Sequence, residues 1–161
     1  MTSATLRCAT VEDTAEVARE LARCVAPGQL VVLAGGLGAG KTTFTKAYAA
    51  ALGVVTPVTS PSYTLAHHYR CAATCPVPVL VHADLWRLGG EAELADLALD
   101  EALSEGAAAI VEWGDRFDEQ LPGAHVVVTF AVDDDGAREL TVDTDGIGRD
   151  ARALDWRVRG A

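Results

Sequence analysis

The run Gly35-Gly36-Leu37-Gly38-Ala39-Gly40-Lys41-Thr42-Thr43 fits the pattern G-x-x-x-x-G-K-[ST] at every fixed position. Its chemistry is that of a triphosphate cradle. Small residues let the backbone turn tightly and aim successive N–H groups at phosphate oxygens, Lys41 adds a mobile point charge, and Thr42 adds a hydroxyl for Mg²⁺. Gly35, Leu37, Gly38, Ala39, Gly40, Lys41, Thr42 and Thr43 are therefore the expected contacts of a nucleoside triphosphate. Hydrolysis additionally needs a carboxylate that helps hold Mg²⁺ or orients water. Two acids qualify by position. Asp84 follows the apolar run Val79-Leu80-Val81-His82-Ala83, and Glu112 follows Ala107-Ala108-Ala109-Ile110-Val111. Glu112, behind the more continuous run, is assigned to Mg²⁺, and Asp84 to orienting or deprotonating water. An acid at a strand end also caps turns, so each gains its meaning from the intact loop.

These residues must be positioned by strands and helices. Residues 29–34 form an apolar, β-branched run fit for a buried parallel strand. Residues 42–52 carry Phe44, Tyr48, Ala51 and Leu52 at helical spacing, with Gly53 as a cap. The loop thus joins a strand to a helix N-terminus, whose partial positive charge favours phosphate. In open parallel sheets ligands bind beyond the carboxyl ends of strands, so Asp84 and Glu112 are expected beside Lys41. Thr10, followed by Glu12 and Asp13, starts a helix with an apolar stripe of Val11, Ala15, Ala18, Leu21, Ala22 and Val25, expected to pack beside the loop strand. Residues 91–103 read as one helix through Leu94, Leu97, Leu99 and Leu103. Residues 125–132 and 139–142 flank Asp133-Asp134-Asp135-Gly136, a hairpin signal. The fold class is α/β: a phosphate-loop NTPase-like three-layer sandwich whose mostly parallel central sheet ends in antiparallel strands. Residues 1–161 are expected to form one domain, with a tail from about 147 that is a loosely packed helix or disordered.

Near the acids lie large side chains. Trp86 and Trp113 suit either rim packing or contact with a partner protein. Ser60, Tyr63 and Thr64 lie after the loop helix, where nucleotide-sensing switch segments sit, in a stretch equally suited to a plain turn. The net charge of −10 opposes direct binding to nucleic acid, DNA included. Between positions 91 and 119 ten acidic residues face only one basic residue, Arg116, which suits a solvated surface or a face for a basic partner. No apolar stretch approaches the roughly 20 residues that span a bilayer, and the start lacks a secretory apolar segment, so a cytoplasmic, membrane-free protein is expected. The four cysteines then read as reduced thiols, and residues 71–78 as a hairpin tip.

The run GGLGAGKTT, then SPSYTL at 60–65, H-x-D-L-W-R at 82–87 and V-E-W at 111–113, in this order and spacing, resembles the bacterial TsaE (YjeE) family over roughly residues 10–142. That family is the small ATPase component of the machinery making threonylcarbamoyladenosine in tRNA. The resemblance implies binding of ATP and Mg²⁺, association with TsaB and TsaD, and slow hydrolysis that supports turnover of TsaD, with tRNA reached only through the complex. It places Lys41, Asp84 and Glu112 in catalysis, Thr42 and Glu112 on Mg²⁺, the switch on Ser60 to Leu65, and adenine contacts around Val11 to Thr14. Gly36 stands where an Asp is common, Ser62 where a Thr is, and Gly136-Ala137-Arg138 where relatives carry Gly-Arg, so the resemblance leaves the role of Arg138 open.

Three other classes share the loop. A small-molecule or nucleoside kinase would clamp phosphates with several lid arginines, whereas the stretch after Glu91 is acidic. A guanine-nucleotide switch would carry N-K-x-D, which is missing. An assembly module that binds nucleotide without hydrolysing it is the third possibility.

Overall fold

The computed structural model describes residues 3–61, 63–122, 124–147 and 149–156. Strands β1 (Ser3–Cys8), β2 (Gln29–Gly35), β3 (Ala66–Arg70), β4 (Val79–Asp84), β5 (Ala108–Glu112), β6 (Ala124–Val132) and β7 (Arg138–Asp143) form one sheet, in the order β1-β7-β6-β2-β5-β4-β3. The central strands β6, β2, β5 and β4 run parallel, and β7, β1 and β3 attach antiparallel at the two margins. This is the mostly parallel sheet with antiparallel ends expected from the sequence.

Side-chain alternation sorts the sheet into two buried faces. Val31, Leu33, Leu80, Ile110, Val126 and Val128 share a core with Phe44 and Tyr48, under helices α1 (Val11–Ala22) and α2 (Lys41–Ala51). Leu30, Val32, Val81, Ala83, Ala109 and Val111 share the other core with Leu94, Leu99 and Leu103, under α3 (Glu91–Asp96) and α4 (Leu99–Ser104). Burial on both sides explains the unbroken apolar reading of β2.

Several local expectations are corrected. Residues 91–103 are not one helix: Ala98 adopts φ +50° and divides α3 from α4. The two-residue step from Leu97 to Leu99 breaks the helical period, and the kink lets Leu94, Leu99 and Leu103 all be buried. Helix α1 packs chiefly against α2 and lies beside β1, and its Val17, Ala18 and Leu21 share a core with Val31 and Leu33 of β2. Its N-cap is Thr10, in a capping box with Asp13. Val11 and Ala51, read as apolar-face residues, are exposed. Strands β1 and β3 had no sequence reading, and residues 71–78 connect β3 to β4 as the expected hairpin tip. The described part of the tail is not α-helical. It forms short 3-10 turns at Asp145–Ile147 and Ala151–Ala153, and Trp156 Nε1 donates to the Ala151 carbonyl at 2.6 Å. Ser62 and residues 157–161 lie outside the described residues. Among the described residues no helix is long and apolar enough to cross a membrane.

Candidate active site

Strand β2 ends in the loop at Gly35, where φ is +149° and an added Cβ would stand 2.9 Å from Phe130 Cβ and from the Phe130 carbonyl oxygen. Only glycine allows that approach. Gly40, at φ +109°, turns the chain into α2 as its N-cap, with no side-chain cap on the helix amides. The first-turn N–H groups of α2 are consequently free of a capping side chain and directed towards any anion in the loop.

Lys41 is 5% exposed. Its ammonium donates to the carbonyls of Gly35 at 2.8 Å and Gly36 at 2.7 Å, and sits 3.9 Å from the centroid of the Trp113 ring. Burial lowers its pKa from the ordinary lysine range, and the nearby carboxylates of Glu112, Asp84 and Asp115 offset that only in part. The site therefore holds a desolvated cation close to acids, in want of further negative charge.

The parallel register sets Asp84 opposite Glu112 and Leu33 opposite Glu112, so both acids end their strands level with the loop. Glu112 is 3% exposed. Its Oε1 accepts from Thr42 Oγ1 at 3.2 Å, and its Oε2 lies 2.6 Å from His82 Nε2. A hydroxyl and a carboxylate that converge in this way are the hard oxygen donors Mg²⁺ prefers, so the residues present fit that ion. Asp84 is half-buried: Oδ1 accepts from the Trp86 amide at 3.0 Å and Oδ2 from Ser60 Oγ at 3.2 Å. It thus both caps a turn and ties Ser60 to the cleft.

A cleft of about 490 Å³ brings together Leu37, Gly38, Ala39, Gly40, Lys41, Thr42, Thr43, Asp84, Trp86, Glu112 and Trp113, as well as Arg138. A neighbouring cavity of about 260 Å³ is lined by Val11, Thr14, Gly40, Thr43 and Arg138 among others. The two share Gly40, Thr43 and Arg138, which makes a path from the loop to the start of α1. Trp113 holds φ +62°, a conformation that costs a non-glycine residue roughly 1–2 kcal/mol, and its ring meets that of Trp86 at 4.4 Å between centroids. Strain of this kind concentrates at functional sites. Arg116 Nη1 donates to the Trp86 carbonyl at 2.8 Å and fixes that turn.

Not every expected residue joins the cleft. Gly35 contributes its carbonyl to Lys41 but does not line the cavity, and Tyr63 and Thr64 are exposed, with the Arg87 guanidinium 5.7 Å from the Tyr63 ring centroid. Two functional candidates escaped the sequence reading. Arg138, whose role the sequence leaves open, reaches the Gly38 carbonyl at 3.1 Å and the Ala39 carbonyl at 3.4 Å. His82 is completely buried against Glu112. The period of two along β4 put His82 and Asp84 on one face and was the available signal.

Comparison with known proteins gives one consistent answer. The family model "Threonylcarbamoyl adenosine biosynthesis protein TsaE" matches residues 8–140. The tRNA threonylcarbamoyladenosine biosynthesis protein TsaE of Bacillus subtilis is 38% identical over 130 residues, covering 81% of this chain and 78% of the relative. Its namesake from Treponema pallidum is 35% identical over 139 residues, with 85% and 99% covered. The crystal structure of YdiB from Bacillus subtilis superposes with a TM-score of 0.66 at 32% identity, over 88% of this chain and 86% of that one. Since the match spans the loop, both strand-end acids and Arg138, and since relatives this similar align over most of their length, the chain belongs to the TsaE family.

Proposed function

We propose that this protein binds and slowly hydrolyses ATP as the subunit that supports repeated turnover of a TsaB–TsaD transferase in threonylcarbamoyladenosine modification of tRNA. The observation that carries the reading is the convergence of Lys41, Thr42, Asp84 and Glu112 on one cleft at the carboxyl ends of β2, β4 and β5. In this reading the amides of 38–43 and the Lys41 ammonium bind phosphate oxygens, with Arg138 beside the same loop. Thr42 and Glu112 would hold Mg²⁺, which when bound neutralises developing charge on the phosphates. Asp84, with one oxygen on the Trp86 amide, orients water or takes its proton. The cavity beside Thr14 and Val11 takes the base. Ser60, through Asp84, and Trp86 and Trp113 at the rim couple the cleft to the partner proteins, so useful hydrolysis depends on them. A net charge of −10 supports contact with tRNA only through the complex, and a cytoplasmic site of action accords with that role.

The test is ATP turnover of the purified chain, alone and with TsaB and TsaD. Lys41→Ala and Asp84→Ala are expected to abolish it. Undiminished turnover in either variant would remove the catalytic assignment, and binding without turnover in the wild type would favour an assembly module.

A further inference from the structure

We infer that His82 is a positioning residue that fixes the Glu112 carboxylate for Mg²⁺, an inference that rests on the nucleotide reading above. The imidazole is fully buried, and its Nε2 lies 2.6 Å from Glu112 Oε2. Among the described residues, His82 Nδ1 is the one buried side-chain nitrogen or oxygen without a hydrogen-bond partner. Those two facts together set the tautomer. An ionised carboxylate can only accept, so Nε2 carries the proton and donates it. An N–H at Nδ1 would be a buried donor with no acceptor, which is costlier than an idle lone pair, so Nδ1 is unprotonated.

A ring held in this way acts through geometry. The parallel register pairs His82 with Ile110 and Asp84 with Glu112, so His82 and Glu112 lie on one sheet face, on neighbouring strands and one pleat apart. The donation engages Oε2 and leaves Oε1 directed at the Thr42 hydroxyl, 3.2 Å away. Without it, a glutamate at the end of β5 would be free to rotate its carboxylate away from Thr42. Donors behind an ion-binding ligand commonly alter metal affinity by about 10–100-fold.

The experiment measures ADP affinity with Mg²⁺ and with EDTA, and takes the ratio as the benefit conferred by the ion. His82→Leu is expected to cut that ratio about tenfold while affinity in EDTA stays within about twofold. His82→Gln, which keeps a donor near the position of Nε2, is expected to restore most of it. In a Glu112→Gln background His82→Leu is expected to add nothing. An unchanged ratio in folded His82→Leu protein would overturn the inference, as would a full, independent loss in the Glu112→Gln background. A wild-type chain that binds no ADP in either buffer would overturn the nucleotide reading itself, a separate result. Nitrogen-15 spectra of the wild-type chain give a second test that needs no variant: a protonated Nε2 with a bare Nδ1 at His82 supports the inference, and the opposite tautomer refutes it.

Discussion

Replacing Lys41 by methionine is expected to stabilise the ligand-free protein while removing its response to nucleotide. Lys41 is 5% exposed, its ammonium held by two loop carbonyls and the Trp113 ring. Its pKa is lowered by burial despite Glu112, Asp84 and Asp115, so the net effect of the fold on the charged form is unfavourable. Methionine keeps an unbranched stem without the charge. Relieving one such functional compromise is worth about 1 kcal/mol, or roughly 2–4 °C in Tm for a domain of this size. The pH dependence follows from the direction of the shift. The folded pKa lies below the ordinary value of 10.5, so the wild type bears the full penalty at pH values below its folded pKa and sheds it as pH rises towards 10.5. The methionine variant's advantage should therefore be largest near neutrality and shrink in alkaline buffer. MgADP at about 100 times Kd should stabilise the wild type by about 2.7 kcal/mol and leave the variant unmoved. Calorimetric melts at neutral and alkaline pH, with and without MgADP, supply the readout. A variant that melts below wild type at neutral pH, or that MgADP stabilises equally, would refute the reasoning.

Arg138→Ala should weaken nucleotide binding about tenfold, in keeping with loss of a charge-assisted hydrogen bond beside the loop, and titration calorimetry would show it. Gly35→Ala should lower stability by about 1–3 kcal/mol through the clash with Phe130, whereas Gly36→Ala, with open space around its Cα, should stay within about 0.5 kcal/mol, as measured by denaturant unfolding. Burial raises the Cys8 thiol to about 11, so iodoacetamide at neutral pH should leave Cys8 unmodified in the folded protein, as read by peptide mass spectrometry.

The parts of this molecule legible in its sequence are those whose causes are local. The strand, glycine loop and helix from Gln29 to Ala51 follow from an apolar run, residues that permit positive φ, and a helical period. Asp84 and Glu112 were found because apolar runs deliver them. What stayed hidden depends on partners distant in the chain. β1 and β3 carry polar or mixed residues and are strands because β7 and β4 supply their hydrogen bonds. That β6 lies parallel to β2 cannot be read from the hairpin it opens. Arg138 reaches the Gly38 carbonyl from 100 residues away, and His82 meets Glu112 across 30, so neither role has a local signature. The break at Ala98 was visible in principle, since Leu97 and Leu99 cannot share one face of a continuous helix.

In the proposed function, the cleft around Lys41 sustains another enzyme's turnover. Threonylcarbamoyladenosine formed per TsaD, counted by mass spectrometry in a reconstitution of TsaB, TsaD, ATP and this chain, tests it most directly. Many product molecules per TsaD with the wild-type chain, and no more than about one without it or with Asp84→Ala, is the expected result. Equal multiple turnover in all three mixtures would contradict the account.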